Sequence, residues 1–128
     1  SRGDGTFLFA SSNPMWKAAL DTLDFMSLAS SDYSGGVIIT DWYSEGDPNE
    51  AIKITIRFLS NEIRADGMVI NLYKRICIDN VCSTKEIKND LTFEIKDKIL
   101  KKAAIYKTRD DNIAFENLPE KVFKSDRQ

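Results

Sequence analysis

Residues 16–43 read WKAALDTLDFMSLASSDYSGGVIITDWY, and this stretch decides the fold class. Its first eleven residues carry apolar side chains at three- and four-residue spacing, which predicts a helix with one buried stripe. Ser12 or Asn13 can cap this helix, and Pro14 suits its first position, where the missing N–H leaves no hydrogen bond unmade. The β-branched and aromatic run at residues 37–43, after the turn at Gly35-Gly36, predicts a strand. The helical stripe comprises Trp16, Ala19, Leu20, Leu23 and Met26.

Further strands are predicted where apolar and polar residues alternate, a pattern typical of a sheet with one buried and one wetted face. Residues 52–59 and 68–78 alternate in this way, residues 81–87 add a short strand, and residues 27–29 are a candidate edge strand. The side chains predicted to point inward are Ile52, Ile54, Ile56, Phe58, Ile70, Leu72, Ile76 and Ile78. Those predicted to point outward are Lys53, Thr55, Arg57, Asn71, Tyr73 and Arg75.

A second amphipathic helix follows the strands. Asn89 or Asp90 can cap it, and we expect it to end near Tyr106, with acids early and lysines late as the helix dipole favours. The order helix, four to five antiparallel strands, helix predicts an α+β domain of the helix-grip type, with an N-terminal and a C-terminal helix packed on the sheet. The stripe of the second helix comprises Leu91, Ile95, Ile99, Ala103 and Tyr106.

The length of 128 residues fits one domain. We expect residues 1–12 to form a flexible lead-in and residues 13–107 to form a single α+β domain. Residues 108–128 are polar and charged, and we expect a partly disordered tail there.

The composition argues against several classes of function. Eighteen Lys and Arg balance twenty Asp and Glu, so we expect no nucleic-acid partner. The chain has no histidine and two cysteines, which removes His-based catalytic triads and the usual zinc ligand sets. Asp21 and Asp24 share a helix face without a base partner, and we interpret them as solvated surface. We therefore predict a protein that is not an enzyme and that uses neither a cofactor nor a metal.

Cys77 and Cys82 flank residues 79–80, which read as a two-residue hairpin turn. In that register the two cysteines form a non-hydrogen-bonded pair with Cα atoms ~4.5–5.5 Å apart, which permits a disulfide. A disulfide indicates an oxidising compartment such as a bacterial periplasm. The alternative is a pair of reduced thiols on a cytosolic hairpin. We favour the disulfide because exposed adjacent thiols are reactive.

The segments WKAALDTLDFMSLASSD, GGVIITDWY and IRADG, at residues 16–32, 35–43 and 63–67, resemble a bacterial family of exported lipoproteins of unknown function. The resemblance covers about residues 16–106. More remotely, the helix and the Thr-Asp-Trp strand are similar to domains of the C lipoprotein of the outer-membrane β-barrel assembly machinery, which acts through protein contacts without catalysis. The resemblance implies a periplasmic location and a lipid tether that lies outside this sequence, since no lipid-accepting cysteine stands near residue 1.

Two surfaces are candidates for contact with a partner. The first is the strand end formed by Asp41, Trp42 and Tyr43, because aromatic residues dominate interface energetics. Simple alternation instead places Trp42 on the face of Ile38 and Thr40, which favours the core for this residue. The second candidate is the outward face of the sheet, with Lys53, Thr55, Arg57, Asn71, Tyr73 and Arg75.

The function that these observations favour is a non-catalytic periplasmic module, associated with the outer membrane, that assists envelope assembly through protein contacts. Its expected partners are envelope or outer-membrane proteins. The alternative is a small-molecule or lipid carrier with a cavity between helix and sheet. That alternative predicts a gap lined by Trp16, Leu20, Ile54, Ile56 and Leu72.

Overall fold

The structure is a computed structural model, and it describes residues 13–116. These residues form a five-stranded antiparallel sheet in the order β1-β2-β3-β4-β5, in which every strand pairs with its neighbours in sequence. The predicted α+β class is confirmed, with five strands rather than four. The elements are α1 (Pro14–Thr22), β1 (Leu28–Asp32), β2 (Val37–Thr40), β3 (Glu50–Phe58), a 3-10 turn (Ala65–Gly67), β4 (Met68–Ile78), β5 (Val81–Ile87) and α2 (Asp90–Glu116).

Helix α1 begins as predicted and ends earlier. The Asn13 side chain accepts a 3.2 Å hydrogen bond from the Trp16 N–H and caps the helix. The last helical residue is Thr22, whereas the apolar stripe continues to Met26. Leu23 and Met26 remain buried because a turn, closed by the Met26 N–H on the Leu23 carbonyl, still directs them into the core. The predicted stripe therefore identified buried residues on both sides of the helix end, but it left out Met15 and Ala18, which are also fully buried.

The predicted alternation of β3 and β4 matches the sheet. Ile54 opposes Leu72 and Ile56 opposes Ile70, so these four side chains share the inner face, which the two described helices cover. Ile78 also belongs to this face, but it is 69% exposed because the β4–β5 hairpin extends beyond the helices. The buried apolar core comprises Met15, Trp16, Ala18, Ala19, Leu23, Met26, Ile38, Ile54, Ile56, Met68, Leu72, Ile95, Ile99 and Ala103.

Helix α2 is longer than predicted. Its stripe buries Ile95, Ile99 and Ala103 as expected, but the helix continues past Tyr106 to Glu116. Residues 108–116, which we expected in the tail, are therefore helical. Their sequence contains no glycine or proline, so nothing in it interrupts the helix. The expectations for residues 1–12 and for the tail from residue 117 onward lie outside the described residues.

Within residues 13–116, neither helix combines the length and the apolarity that crossing a membrane requires.

Candidate functional site

A β-bulge interrupts the strand predicted over residues 37–43. Ile39 pairs with Thr55, and the next bridge joins Tyr43 to Ile52. Three residues on one side thus oppose two on the other, which is the pattern of a bulge with one extra residue. Regular strand β2 consequently ends at Thr40 instead of Tyr43.

The bulge determines where Trp42 points. Because one extra residue shifts the alternation, Trp42 lies on the outer face of the sheet and Tyr43 on the inner face. Thr40 supports this local geometry: it is fully buried, and its hydroxyl accepts a 2.9 Å hydrogen bond from the Ile54 N–H. The interpretation of Trp42 as a core residue on the face of Ile38 is therefore wrong, because it assumed an uninterrupted alternation.

Two cations stack on the Trp42 ring. Arg75 Cζ lies 4.7 Å from the ring centroid, and Lys53 Nζ lies 5.6 Å from it. Both distances are within the range of cation–π attraction. Neither cation forms an ion pair with another residue in the described part of the chain. The indole thus holds two basic side chains on a surface where their charges remain available to a partner.

Ala51 is a small residue on the outer face beside Arg75. Arg75 is on β4, and Ala51, its partner on β3, stands between that strand and the bulge. Ala51 is only 4% exposed although it belongs to the outer face, which is consistent with coverage by the ring and by Arg75.

Tyr73 completes what we call the outer-face cluster, defined as Trp42, Lys53, Tyr73 and Arg75. Tyr73 is the direct partner of Lys53 on the neighbouring strand. Arg57 belongs to the same face, but it is four residues along β3 from Lys53, a separation of about 13 Å. The structure therefore gathers part of the predicted surface and leaves Arg57 outside it.

Two further outward predictions, Thr55 and Asn71, oppose each other beside the cluster. The Asn71 amide donates a 2.7 Å hydrogen bond to the Glu86 carboxylate, which fixes one edge of the outer face.

The strand end from Asp41 to Tyr43 does not form one surface. Tyr43 packs edge-on against Phe25, with ring centroids 5.4 Å apart, and borders the core. Asp41 is exposed, and its N–H donates to the Ser27 carbonyl at 2.8 Å. Of the three predicted residues, only Trp42 joins the outer-face cluster.

The predicted disulfide is present. Cys77 and Cys82 are bonded, with their Cα atoms 4.0 Å apart, and they oppose each other across the β4–β5 hairpin. Asp79 and Asn80 both have positive φ, as a tight two-residue hairpin turn requires. The bond lies two residues beyond Arg75, so it braces the end of the hairpin that carries the cluster.

The gap that the carrier alternative requires is filled. Trp16, Ile54, Ile56 and Leu72 are each at most 5% exposed, and Leu20 packs against the same core. A separate open groove of about 560 Å³ lies nearby, between α1, α2 and β3, and it shares only Ile54 with the predicted gap.

The fold and this face define a small α+β domain whose open sheet surface is aromatic and basic. The chain belongs to the family described as Domain of unknown function (DUF3576), whose model matches residues 9–108. It is 37% identical over 90 residues to Uncharacterized protein RP420 of Rickettsia prowazekii (strain Madrid E), an alignment that covers 70% of this chain. The chain spans 54% of the length of that protein. No solved structure matches it.

Proposed function

We propose that this domain is a non-catalytic protein-interaction module that assists assembly in the bacterial envelope, with the outer-face cluster as its contact surface. The observation that carries the proposal is the position of Trp42. A large aromatic side chain lies outside the core on a face that no described element covers, between two cations. Trp, Tyr and Arg are the residue types that most often contribute large binding energies at protein interfaces.

The charge of the cluster favours a partner with acidic residues. Lys53 and Arg75 contribute two positive charges beside the two aromatic rings. Complementary charge accelerates encounter, whereas desolvated aromatic contacts slow dissociation. A partner surface with carboxylates around an apolar centre fits this pattern.

The proposed location is the periplasm, with attachment to the outer membrane through a lipid tether outside this sequence. The Cys77–Cys82 disulfide supports an oxidising compartment. The resemblance of residues 16–43 to exported lipoproteins supports the same compartment. The two helices on one face of the antiparallel sheet support the narrower proposal of a helix-grip domain similar to those of the barrel-assembly C lipoprotein.

The test is quantitative affinity capture of the full-length protein from detergent-solubilised envelope. We expect Trp42→Ala and Arg75→Ala to lose the envelope proteins that the wild type captures, and barrel-assembly components among them would support the assembly role. Lys107→Ala, a loss of charge at the exposed far half of α2, is the matched control and should capture them normally.

Equal capture by wild type and by both cluster variants, each shown to be folded by circular dichroism, would refute the outer face as the contact surface. Recovery of lipid alone would favour the carrier alternative. Labelling of both cysteines by a thiol reagent in native envelope would contradict the proposed compartment.

A further inference from the structure

The inner side of the fold carries an apolar groove that lies opposite the outer-face cluster. It has a volume of about 560 Å³, which falls within the range of small-molecule sites. Its base contains Ile54, which is fully buried, and Ile95, which is 6% exposed. Its lips are Phe25 and Ile105, which are 55% and 50% exposed. Large apolar side chains that are exposed together beside a buried apolar base indicate a binding surface.

The groove is elongated along α2. It extends from Leu91 to Ile105, fourteen helical residues apart, a length of about 21 Å at the rise of an α-helix. At the Leu91 end it meets a second hollow of about 230 Å³, and the two share Ile52 and Leu91. A narrow apolar trough of this length suits an unbranched chain better than a compact molecule.

The charges along the groove are polarised. Glu94 and Asp97 stand toward the Leu91 end, and Lys98, Lys101 and Lys102 stand toward the Ile105 end. Asp97 already forms an ion pair, because Lys101 Nζ lies 2.8 Å from its carboxylate.

Lys98 and Lys102 form no ion pair with any residue between positions 13 and 116. They are four residues apart on one helix face, an arrangement that is destabilising for like charges. An anion bound between them would relieve this repulsion.

We infer that the groove binds a single-chain amphiphile with an anionic head group, such as a fatty acid. Its hydrocarbon chain lies along Ile52 and Ile95 and points toward Leu91. Its head group lies between Lys98 and Lys102, because the carboxylates of the groove would repel it at the other end. This site goes beyond the proposed protein contact. It also differs from the gap predicted from sequence, which is filled.

The experiment titrates the full-length, delipidated protein with dodecanoate below its critical micelle concentration, followed by methyl NMR. We expect saturable binding, with shifts concentrated at the methyl groups of Ile52 and Ile95, which line the path of the chain. Dodecyl maltoside, which has the same chain and a neutral head, is the matched ligand. It should bind more weakly at the same methyl groups.

The double variant Lys98→Glu/Lys102→Glu should weaken dodecanoate binding about tenfold, since two exposed charge pairs become repulsive. Its effect on the maltoside should stay below twofold. Lys88→Glu/Lys96→Glu makes the same change in net charge outside this groove and should leave dodecanoate binding within twofold.

Three results would overturn the inference: no saturable binding of dodecanoate, shifts spread over exposed apolar residues elsewhere, or equal binding by the Lys98→Glu/Lys102→Glu variant. Native mass spectrometry of protein purified from envelope supplies an independent readout, in which an adduct with the mass of an anionic amphiphile is expected. A polypeptide adduct lost in Ile105→Asn would assign the groove to a protein segment instead. Because the groove and Trp42 lie on opposite faces, none of these results depends on the proposed protein contact.

Discussion

Two buried threonines should respond in opposite directions to the same substitution by valine. Thr40 is fully buried, and its hydroxyl accepts the Ile54 N–H in the bulge beside Trp42. Thr22, at the end of α1, is 8% exposed, and its buried hydroxyl has no hydrogen-bond partner among the described residues. Valine has nearly the same shape as threonine and lacks only the hydroxyl. The difference in the free energy of unfolding between the two variants therefore isolates the contribution of one hydrogen bond.

The expected magnitudes follow from the fate of each polar group. Thr40→Val leaves the Ile54 N–H buried and unpaired, which costs about 1–3 kcal/mol, and the added methyl recovers under about 1 kcal/mol. We expect a net loss of about 2 kcal/mol in the free energy of unfolding. Thr22→Val removes an unpaired buried hydroxyl and leaves no group behind, so we expect a gain of about 1 kcal/mol. Backbone propensity cancels, since both residues are β-branched.

The assay is urea unfolding at pH 7, with the free energy of unfolding extrapolated to water and the m-value compared among variants. Thr55→Val is the matched control, because Thr55 lies on β3 next to Ile54 at partial exposure, and its hydroxyl makes no hydrogen bond to a described residue. Its stability should change by less than about 0.5 kcal/mol. In a thermal melt the loss at Thr40 should lower Tm by about 8 °C.

A fall of equal size in the Thr40 and Thr22 variants would refute this reasoning, because it would show that valine is tolerated poorly at both sites whatever the hydrogen bonding. A Thr40→Val protein as stable as wild type would show that the bulge does not need its hydroxyl. If the bulge does need it, Thr40→Val should also weaken partner capture through displacement of Trp42.

Three further predictions concern cross-links and charges. The Cys77–Cys82 bond joins residues with a sequence separation of 5. Its reduction should lower the free energy of unfolding by about 2 kcal/mol. The control is a Cys77→Ser/Cys82→Ser variant, whose stability should not change when reductant is added. The hydrogen bond from the Tyr106 hydroxyl to the Asp21 carboxylate raises the pKa of Tyr106, so its stabilisation is complete below about pH 10 and is lost as pH rises through the raised pKa. Tyr106→Phe should therefore cost about 0.5 kcal/mol at pH 7 and nothing at strongly alkaline pH, and an equal cost at both would contradict this assignment. Lys85→Glu replaces one of two lysines, Lys74 and Lys85, that face each other across β4 and β5. It should raise the free energy of unfolding by about 0.5 kcal/mol at low salt and by less at 1 M salt. A gain that does not depend on salt would exclude charge as the cause.

If both proposed surfaces are correct, the domain would hold a protein on one face of its sheet and an amphiphile on the other. The two sites would then be joined through β3, which supplies Lys53 to the outer-face cluster and Ile54 to the groove. Substitutions in one site should leave binding at the other unchanged unless they disturb the shared strand.

The sequence alone was sufficient for features that depend on local pattern. Strict alternation placed Ile52, Ile54, Ile56 and Phe58 on one face of β3, because strand side chains point to opposite sides with a period of two. The Cys77–Cys82 pairing followed from a two-residue turn, which determines the register of the residues next to it. The helical stripes likewise identified several of the residues that α1 and α2 bury, although they left out Met15 and Ala18.

Only the tertiary structure determined where the helices and strands end and which surfaces lie between them. The face of Trp42 depends on an extra residue between Ile39 and Tyr43, which is defined by the pairing of this segment with β3. Thr40 stabilises that bulge through a contact 14 residues away in sequence. The groove lies beyond the end of α1 at Thr22, between β3 and α2. Long-range contacts determine where a bulge forms and where a helix ends. The spacing of apolar side chains in residues 16–43 could therefore predict the fold class, but it could not predict the face of Trp42, on which the proposed function depends.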